Sequence, residues 1–517
     1  MANLNLFSSC AGRMLRKAGT RNDEGAPAFS FPTKHTLAQY AMTGCLNGTF
    51  YASDAAQLED VLELCGGVEP GFIARTAVHA REVGSMKDLP ALLCAVLAVR
   101  DGDMLSKVFH RVIDSPRMLR TFVQIVRSGA AGRKSLGTRP RRLVRGWLRD
   151  RSDEAIFSAS VGTRPSITDI VRMVHPKPHS PSREALYGYL LGRRHTAEAL
   201  PEVVRRYETF KVDPTGEVPD VPFQMLTFLD LTTEHWVDIA RRAPWQATRM
   251  NLNTFARHGV FEREGMAELI AERLRDPEQI RKARAMPYQL LVAYTQARPE
   301  VPRILRDALQ EAAEFAVSNV PKVEGRVVVC PDVSGSMVSP VTGHRRGATT
   351  AVRCVDVAAL MAAAVVRHNP TAEVLPFNNG VVEVQTNARD SVMTNAERLA
   401  GVVGGGTNCS APLVRLNRAR AEADLVVFVS DNQSWVDARP GAGTAMMREW
   451  EAFKRRNASA RLVCIDLQPY GTTQAYDRED ILNVGGFSDG VFDVVARFAR
   501  DGHAAGSWAD AIERIEL

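Results

Sequence analysis

The sequence predicts a multidomain chain in which an all-α helical array precedes an α/β domain built on a doubly wound parallel sheet. Three observations predict it. The chain has 517 residues, too many for one ordinary domain. From about Pro32 to Val320, apolar residues recur at helical spacing and strand signals are nearly absent. After Pro321-Lys322 the pattern changes to short β-branched runs alternating with helical stretches, the signature of a parallel sheet covered on both faces.

In the front region the expected helices are Leu58 to Cys65, Gly71 to Val83, Asp88 to Val99, Asp103 to Ile113, Arg117 to Arg127, Arg141 to Arg149, Ser166 to Val174, Pro181 to Leu191, Pro222 to Asp230, Glu234 to Arg242, Met266 to Arg275, Pro287 to Thr295 and Pro302 to Asn319. Short helices joined by polar Gly/Pro turns suggest helix pairs stacked as an irregular solenoid. In the back region the expected strands are Arg326 to Cys330, Ala372 to Phe377, Val381 to Gln385, Asp424 to Ser430, Arg461 to Leu467 and Ile481 to Val484. Helices are expected between and after them at Ala351 to His368, Ala396 to Val403, Ala411 to Glu422, Gly443 to Arg456 and Gly490 to Arg500. Residues 1–28 are expected to be a flexible N-terminal segment, 29–320 the helical-repeat domain and 321–517 the α/β domain.

Composition excludes several classes. Hydrophobic residues at 45%, charged at 24% and aromatic at 7% lie near globular averages, far from disordered, collagen-like or coiled-coil chains. The longest apolar stretch, Ala91 to Val99, falls short of the roughly 18 residues a bilayer span needs. Met1 to Phe31 has no continuous apolar core of the signal-peptide kind, so a cytoplasmic protein is expected. Cys10, Cys45, Cys65, Cys94, Cys330, Cys354, Cys409 and Cys464 form no CxxC pair and read as buried thiols in a reducing compartment.

The net charge of +6 is unevenly spread. Residues 321–517 hold 21 Lys/Arg against 23 Asp/Glu, so the excess of positive charge lies in the first 320. Within them, Arg117, Arg120, Arg127, Arg133, Lys134, Arg139, Arg141, Arg142, Arg145 and Arg149 fall in a window with no acidic residue. A solvated helix face interleaves both signs, so this window is a candidate for binding a polyanion. On a helical wheel Arg141, Arg142, Arg145 and Arg149 fall within about 100° of one another, with Leu143, Val144, Trp147 and Leu148 outside that arc. Arginine binds phosphates bidentately and stacks on exposed bases, which suits RNA ends and bulges. Arg241, Arg242, Arg249 and Arg257 around Trp245, with Arg281, Lys282 and Arg284, are further candidates. Gly129 to Ser135 lacks the glycine directly before Lys134 and follows no apolar strand, which argues against a nucleotide-binding P-loop.

The first expected strand of the sheet ends in Asp332-Val333-Ser334-Gly335-Ser336, a D-x-S-x-S pattern. One carboxylate and two hydroxyls from a tight loop provide oxygen ligands for a hard divalent cation, Mg²⁺ most naturally, with Mn²⁺ or Ca²⁺ as alternatives. Gly404-Gly405-Gly406-Thr407 adds a hydroxyl, and Ser430-Asp431, closing the apolar run from Leu425, adds a second carboxylate. Ligands of doubly wound sheets bind at this C-terminal edge. With few protein charges the cation keeps an open position that an acidic group from a partner can fill. No His lies close in sequence to Asp332, Thr407 or Asp431, which argues against a hydrolase.

The Asp332, Ser334, Ser336, Thr407 and Asp431 constellation resembles the metal-ion-dependent adhesion site (MIDAS) of von Willebrand factor A domains. With the helical front, the chain from about Phe29 resembles the Ro autoantigen family of TROVE-domain RNA-binding proteins, in particular its bacterial members. The segments that carry the resemblance are Gly44 to Tyr51 (GCLNGTFY), Thr163 to Pro178 (TRPSITDIVRMVHPKP), Met286 to Tyr294 (MPYQLLVAY), Gly404 to Ser410 (GGGTNCS), Val427 to Asn432 (VFVSDN) and Gly485 to Val491 (GGFSDGV). The resemblance implies a HEAT-like helical repeat ring closed by an α/β doubly wound, Rossmann-like von Willebrand A domain. It implies Y-like small RNAs on the outer surface, single-stranded 3′ ends of misfolded noncoding RNAs in the central hole, and a 3′ exoribonuclease as partner. It places Arg172, His175 and Lys177 beside the Y RNA surface, although Ser158 to Thr163 is uncharged where the family often carries basic residues.

The expectation is thus a non-catalytic, monomeric RNA-binding protein of a ribonucleoprotein, working in RNA quality control and without a membrane partner. The alternatives are a metal-dependent protein-interaction scaffold and a metal-dependent phosphoesterase.

Overall fold

The computed structural model describes residues 18–162, 164–283, 285, 287–317, 320, 322–344, 352–435, 443–488, 490–501 and 508–517. They divide into two compact units. One gathers the described residues of Met1–Val68, Met286–Tyr288 and Ala313–Ile515; the other gathers those of Glu69–Ala285, Gln289–Ala312 and Glu516–Leu517. The border is therefore not a single cut near residue 320. Residues 18–68 fold with the α/β sheet.

The α/β unit has a five-stranded, all-parallel sheet. Its strands are β3 (Val327–Pro331), β4 (Glu373–Val374), β5 (Leu425–Ser430), β6 (Arg461–Asp466) and β8 (Ile481–Gly485), in the order β4-β3-β5-β6-β8. Val327 pairs with Leu425 and Ser430 with Asp466, so the C-terminal ends of β3, β5 and β6 align along one edge. Every residue of β3, β5 and β8 is buried, which is why these runs read as continuous β-branched segments. The largest covering helix, Cys354–His368, buries every position from Cys354 to Val366 except Asp356. Because β3 has β4 on one side and β5 on the other, the loops after β3 and β5 flank the topological switch point of the sheet.

Two expected strands are reduced. Within Ala372 to Phe377 the strand itself covers only Glu373–Val374, with a separate bridge from Phe377 to Asp332, and Val381 to Gln385 makes one bridge, Phe377 to Val381. Pro376 has no N–H to give a ladder, and residues 381–385 are half-buried or exposed, with no core face to fix a register.

A second, antiparallel sheet accounts for the start of the chain. β1 (Thr20–Arg21) pairs with β2 (Pro27–Ser30), and β2 pairs with β7 (Thr472–Thr473). Residues 1–17, including Cys10, lie outside the described residues; 20–30 form a hairpin where a flexible segment was expected. The helix Thr33–Thr43 follows and packs on β8. Buried from His35 to Thr43, it presents no polar stripe and leaves no amphipathic signal in the sequence. Two of its polar side chains reach the sheet unit: Gln39 Nε2 donates to Asp466 Oδ2 at 3.1 Å, and His35 Nδ1 lies 3.2 Å from Asp477 Oδ2.

The second unit is helical. Its members include Pro70–Glu82, Asp88–Arg100, Gly102–Val112, Pro116–Ser128, Thr138–Arg149, Ile167–Val174, Pro181–Leu191, Glu202–Val212, Thr233–Arg242 and Met266–Arg275. Ser-Pro starts are recurrent: the Ser115 and Ser180 hydroxyls cap the helices opened by Pro116 and Pro181. The expected helix Pro222 to Asp230 is only a short turn, Phe223–Met225. Trp245–Met250 and Leu252–Arg257 are helices of six residues, too short for a sequence period to show. Among the described residues no helix is long and apolar enough to cross a membrane.

Candidate cation site and basic helical face

Three loops bring the expected oxygen donors to one edge of the parallel sheet. Asp332 continues β3, its N–H donating to the Val429 carbonyl at 2.9 Å. Its Oδ1 accepts from the Ser334 N–H at 2.8 Å and its Oδ2 from the Ser430 hydroxyl at 2.5 Å, so both oxygens are aimed. Ser334 Oγ and Ser336 Oγ lie 3.2 Å apart. Ser336 lies beside Asp431, whose Oδ1 accepts from the Gln433 N–H at 3.3 Å. The glycine turn is fastened to the first loop by Gly335 N–H to the Gly405 carbonyl at 2.9 Å and Gly404 N–H to the Val333 carbonyl at 2.8 Å. Gly405 has φ +79°, a left-handed conformation that favours glycine. The Thr407 carbonyl accepts from the Trp435 N–H at 3.1 Å, which pins the turn to the loop after β5.

Asp332, Ser334, Ser336, Thr407 and Asp431 are all buried. Burial raises the Asp332 carboxyl above the usual range; burial and the neighbouring Asp332 charge raise Asp431. Among the described residues no basic side chain offsets either shift. Two buried carboxylates facing one another are costly unless a positive charge joins them. Among the described residues no three His, Cys, Asp or Glu side chains form a metal cluster, so the donor set is two carboxylates supplemented by hydroxyls. That chemistry fits a hard divalent cation.

The basic face lies in the helical unit. The helix Thr138–Arg149 buries Pro140, Val144, Trp147 and Leu148 and exposes Arg141, Arg142, Arg145 and Arg149, as the wheel partition predicts. Trp147 Nε1 donates to the Ile113 carbonyl at 2.7 Å, fixing the apolar underside. Arg183, 1% exposed, closes the helix end by donating to the Leu148 carbonyl at 2.9 Å and to the Arg151 carbonyl, while pairing with Asp153.

The helix Ile167–Val174 is adjacent, held at its start by a reciprocal Ser166/Asp169 capping box. Arg145 Nε donates to the Val174 carbonyl and joins the two helices. His175 ends the second helix in the left-handed region at φ +49°, exposed, as are Arg172 and Lys177.

Other members of the acid-free window are engaged elsewhere. Arg133 is half-buried and donates to the Ala98 carbonyl at 3.1 Å, Arg120 turns inward to the Val161 carbonyl, and Lys134 is exposed. Arg139 meets Asp103 at 3.0 Å, Arg149 meets Asp150 at 2.8 Å and Arg172 lies 3.8 Å from Asp169. These pairs are largely exposed and contribute little, so phosphate can compete for them. Arg249 donates to the Gln289 carbonyl at 2.8 Å and to Gln246, and Arg284 lies outside the described residues.

A family model described as the Ro60 vWA domain matches residues 326–499. A protein of Deinococcus radiodurans named RNA-binding protein RO60 is 24% identical over 93% of this chain and 95% of its own length. The α/β domain is thus similar to that of the Ro60 family. A Caenorhabditis elegans protein of the same name is 25% identical over 49% of this chain and 40% of its own length. The crystal structure of the Deinococcus radiodurans RO (RSR) protein shares the fold, with a TM-score of 0.58 at 21% identity over 91% of this chain and 99% of that one.

Several contributors to the sheet-edge site escape the D-x-S-x-S reading. Ser430 turns its hydroxyl onto Asp332, and Asn432 sits at φ +63° while its amide donates to Asp466 Oδ1 at 3.0 Å. Tyr51, within the GCLNGTFY segment, reaches Ser336 with its phenol. The run Ser430-Asp431-Asn432 was the available signal for the first two. Nothing in the sequence pairs Tyr51 with a residue nearly three hundred positions away.

Proposed function

We propose that this chain is a non-catalytic RNA-binding protein whose contact surface centres on Arg141, Arg142 and Arg145. The surface extends through Arg149, Arg139, Arg133 and Lys134 and across to Arg172, His175 and Lys177. The observation that carries the reading is the row of exposed arginines over a packed apolar underside. The relatives named as RNA-binding proteins support it. Guanidinium groups on a fixed helix suit phosphates and unstacked bases, so structured small RNAs of the Y type are the first ligand class. Single-stranded 3′ ends of misfolded RNAs are the second, for presentation to a 3′ exoribonuclease.

The cation site, with Asp332, Ser334, Ser336, Thr407 and Asp431 around Mg²⁺, serves recognition of a carboxylate. Two carboxylates balance the cation without saturating its coordination, and among the described residues no histidine stands beside them as a base.

Sequencing the RNA that accompanies the protein from its host tests the assignment. Structured small RNAs and tailed RNA fragments are expected; protein that arrives without RNA and binds none at low salt would overturn it. Labelled RNA incubated with the protein and Mg²⁺ or Mn²⁺ should stay intact.

A further inference from the structure

The turn between β1 and β2 lies on the loop that follows Asp431. Asn22 is buried; its Oδ1 accepts from the Ala26 N–H at 2.9 Å and its Nδ2 donates to the Ser434 carbonyl. The Asp23 N–H donates to Gln433 Oε1 at 2.9 Å. Gln433 and Ser434, two and three residues after Asp431, are fully or almost fully buried. The hairpin is thus fastened to the loop that carries the second carboxylate of the cation site.

The next residue on the turn is Glu24. Its carboxylate accepts a hydrogen bond from the Tyr51 hydroxyl, and the same phenol lies beside Ser336, a cation ligand of the reading above. The Tyr51 ring packs edge-on against Tyr470, with centroids 5.6 Å apart, and Tyr470 donates to Thr49 Oγ1 at 3.2 Å. The phenol therefore has little freedom to turn away. A cation held by two carboxylates and hydroxyls keeps a position for one more acidic oxygen. Glu24 is an acidic group on the turn that is fastened to the loop of the second carboxylate.

We propose that the N-terminal hairpin caps the cation site, with Glu24 as a built-in acidic group and Tyr51 as the positioning residue that ties it to Ser336. A partner's carboxylate then reaches the cation only by displacing Glu24. This rests on the cation reading of Asp332, Ser334, Ser336, Thr407 and Asp431.

The test titrates Mn²⁺ into full-length wild-type protein and the Glu24→Gln, Tyr51→Phe and Asp332→Ala variants. Electron paramagnetic resonance gives the affinity, and water-proton relaxation gives the solvent access of the bound ion. Glu24→Gln should weaken Mn²⁺ binding about tenfold or more, the scale seen when a supporter of metal ligands is removed. Tyr51→Phe should act in the same direction, and in both the ion should gain water. Either quantity staying at its wild-type value in Glu24→Gln overturns the cap while leaving the cation site standing. Failure of wild-type protein and Asp332→Ala alike to bind Mn²⁺ removes the cation reading and the cap with it. Glu24 is exposed, so its variant is expected to fold, and circular dichroism checks this.

Discussion

The basic helical face and the cation site both gather charge, and they do it by opposite physics. Arg141, Arg142 and Arg145 stand in water over a packed underside of Val144, Trp147 and Leu148. Their repulsion is screened, each costs little, and their attraction for a polyanion accumulates. Asp332 and Asp431 are buried with no basic partner among the described residues, so their charges are penalised individually and relieved together by one ion. The first arrangement gives graded, salt-sensitive affinity; the second gives a site that one substitution abolishes.

Several experiments sharpen or break that contrast. The largest expected effect is structural. Arg183→Ala leaves Asp153 unpaired and the helix-end carbonyls of Leu148 and Arg151 unmet, and should cost about 3 kcal/mol or more of stability in chemical denaturation. Next, replacing Arg141, Arg142 and Arg145 by Ala should lower the salt slope of RNA binding by about three without lowering the melting temperature. A drop in melting temperature comparable to that of Arg183→Ala would show that these arginines serve the fold.

A smaller effect belongs to the cation. With Mg²⁺ at about ten times its dissociation constant, wild-type protein should gain about 1.4 kcal/mol, a gain that Asp332→Ala loses. The smallest is the pH response without the ion. The raised Asp431 carboxyl means that the folded state holds its proton to higher pH than the unfolded chain does. Stability in EDTA should therefore fall as pH rises from the ordinary carboxylate range through the raised value, and Asp431→Asn should flatten that fall. A steeper fall in the variant would contradict the electrostatic account.

What was legible in the sequence follows the same division. Amphipathic helices such as Pro116–Ser128 and Thr138–Arg149 were legible because one face is buried and the other is wet. The three loops at the sheet edge were legible because each carries recognisable oxygen donors and two directly follow buried strands, Val327–Pro331 and Leu425–Ser430. Thr33–Thr43 was not, since a helix buried along nearly its whole length has no polar side to set a period. Nor was the ordered hairpin at 20–30, whose strands of two and four residues pair with each other and with Thr472–Thr473 at the other end of the chain. The Glu24, Tyr51 and Ser336 connection was hidden for the same reason, because only the fold closes loops of that length.

The central claim is that RNA is held by the basic helical face, independently of the cation site. Fluorescence anisotropy with one labelled hairpin RNA carrying a single-stranded 3′ tail, at about 50 and 200 mM salt, tests it most directly. Wild-type protein and Asp332→Ala should bind alike and weaken steeply with salt, while the Arg141→Glu, Arg142→Glu, Arg145→Glu triple variant should lose affinity by about a hundredfold or more at the lower salt. Equal binding by the triple variant and wild type, or loss of binding in Asp332→Ala, would contradict it.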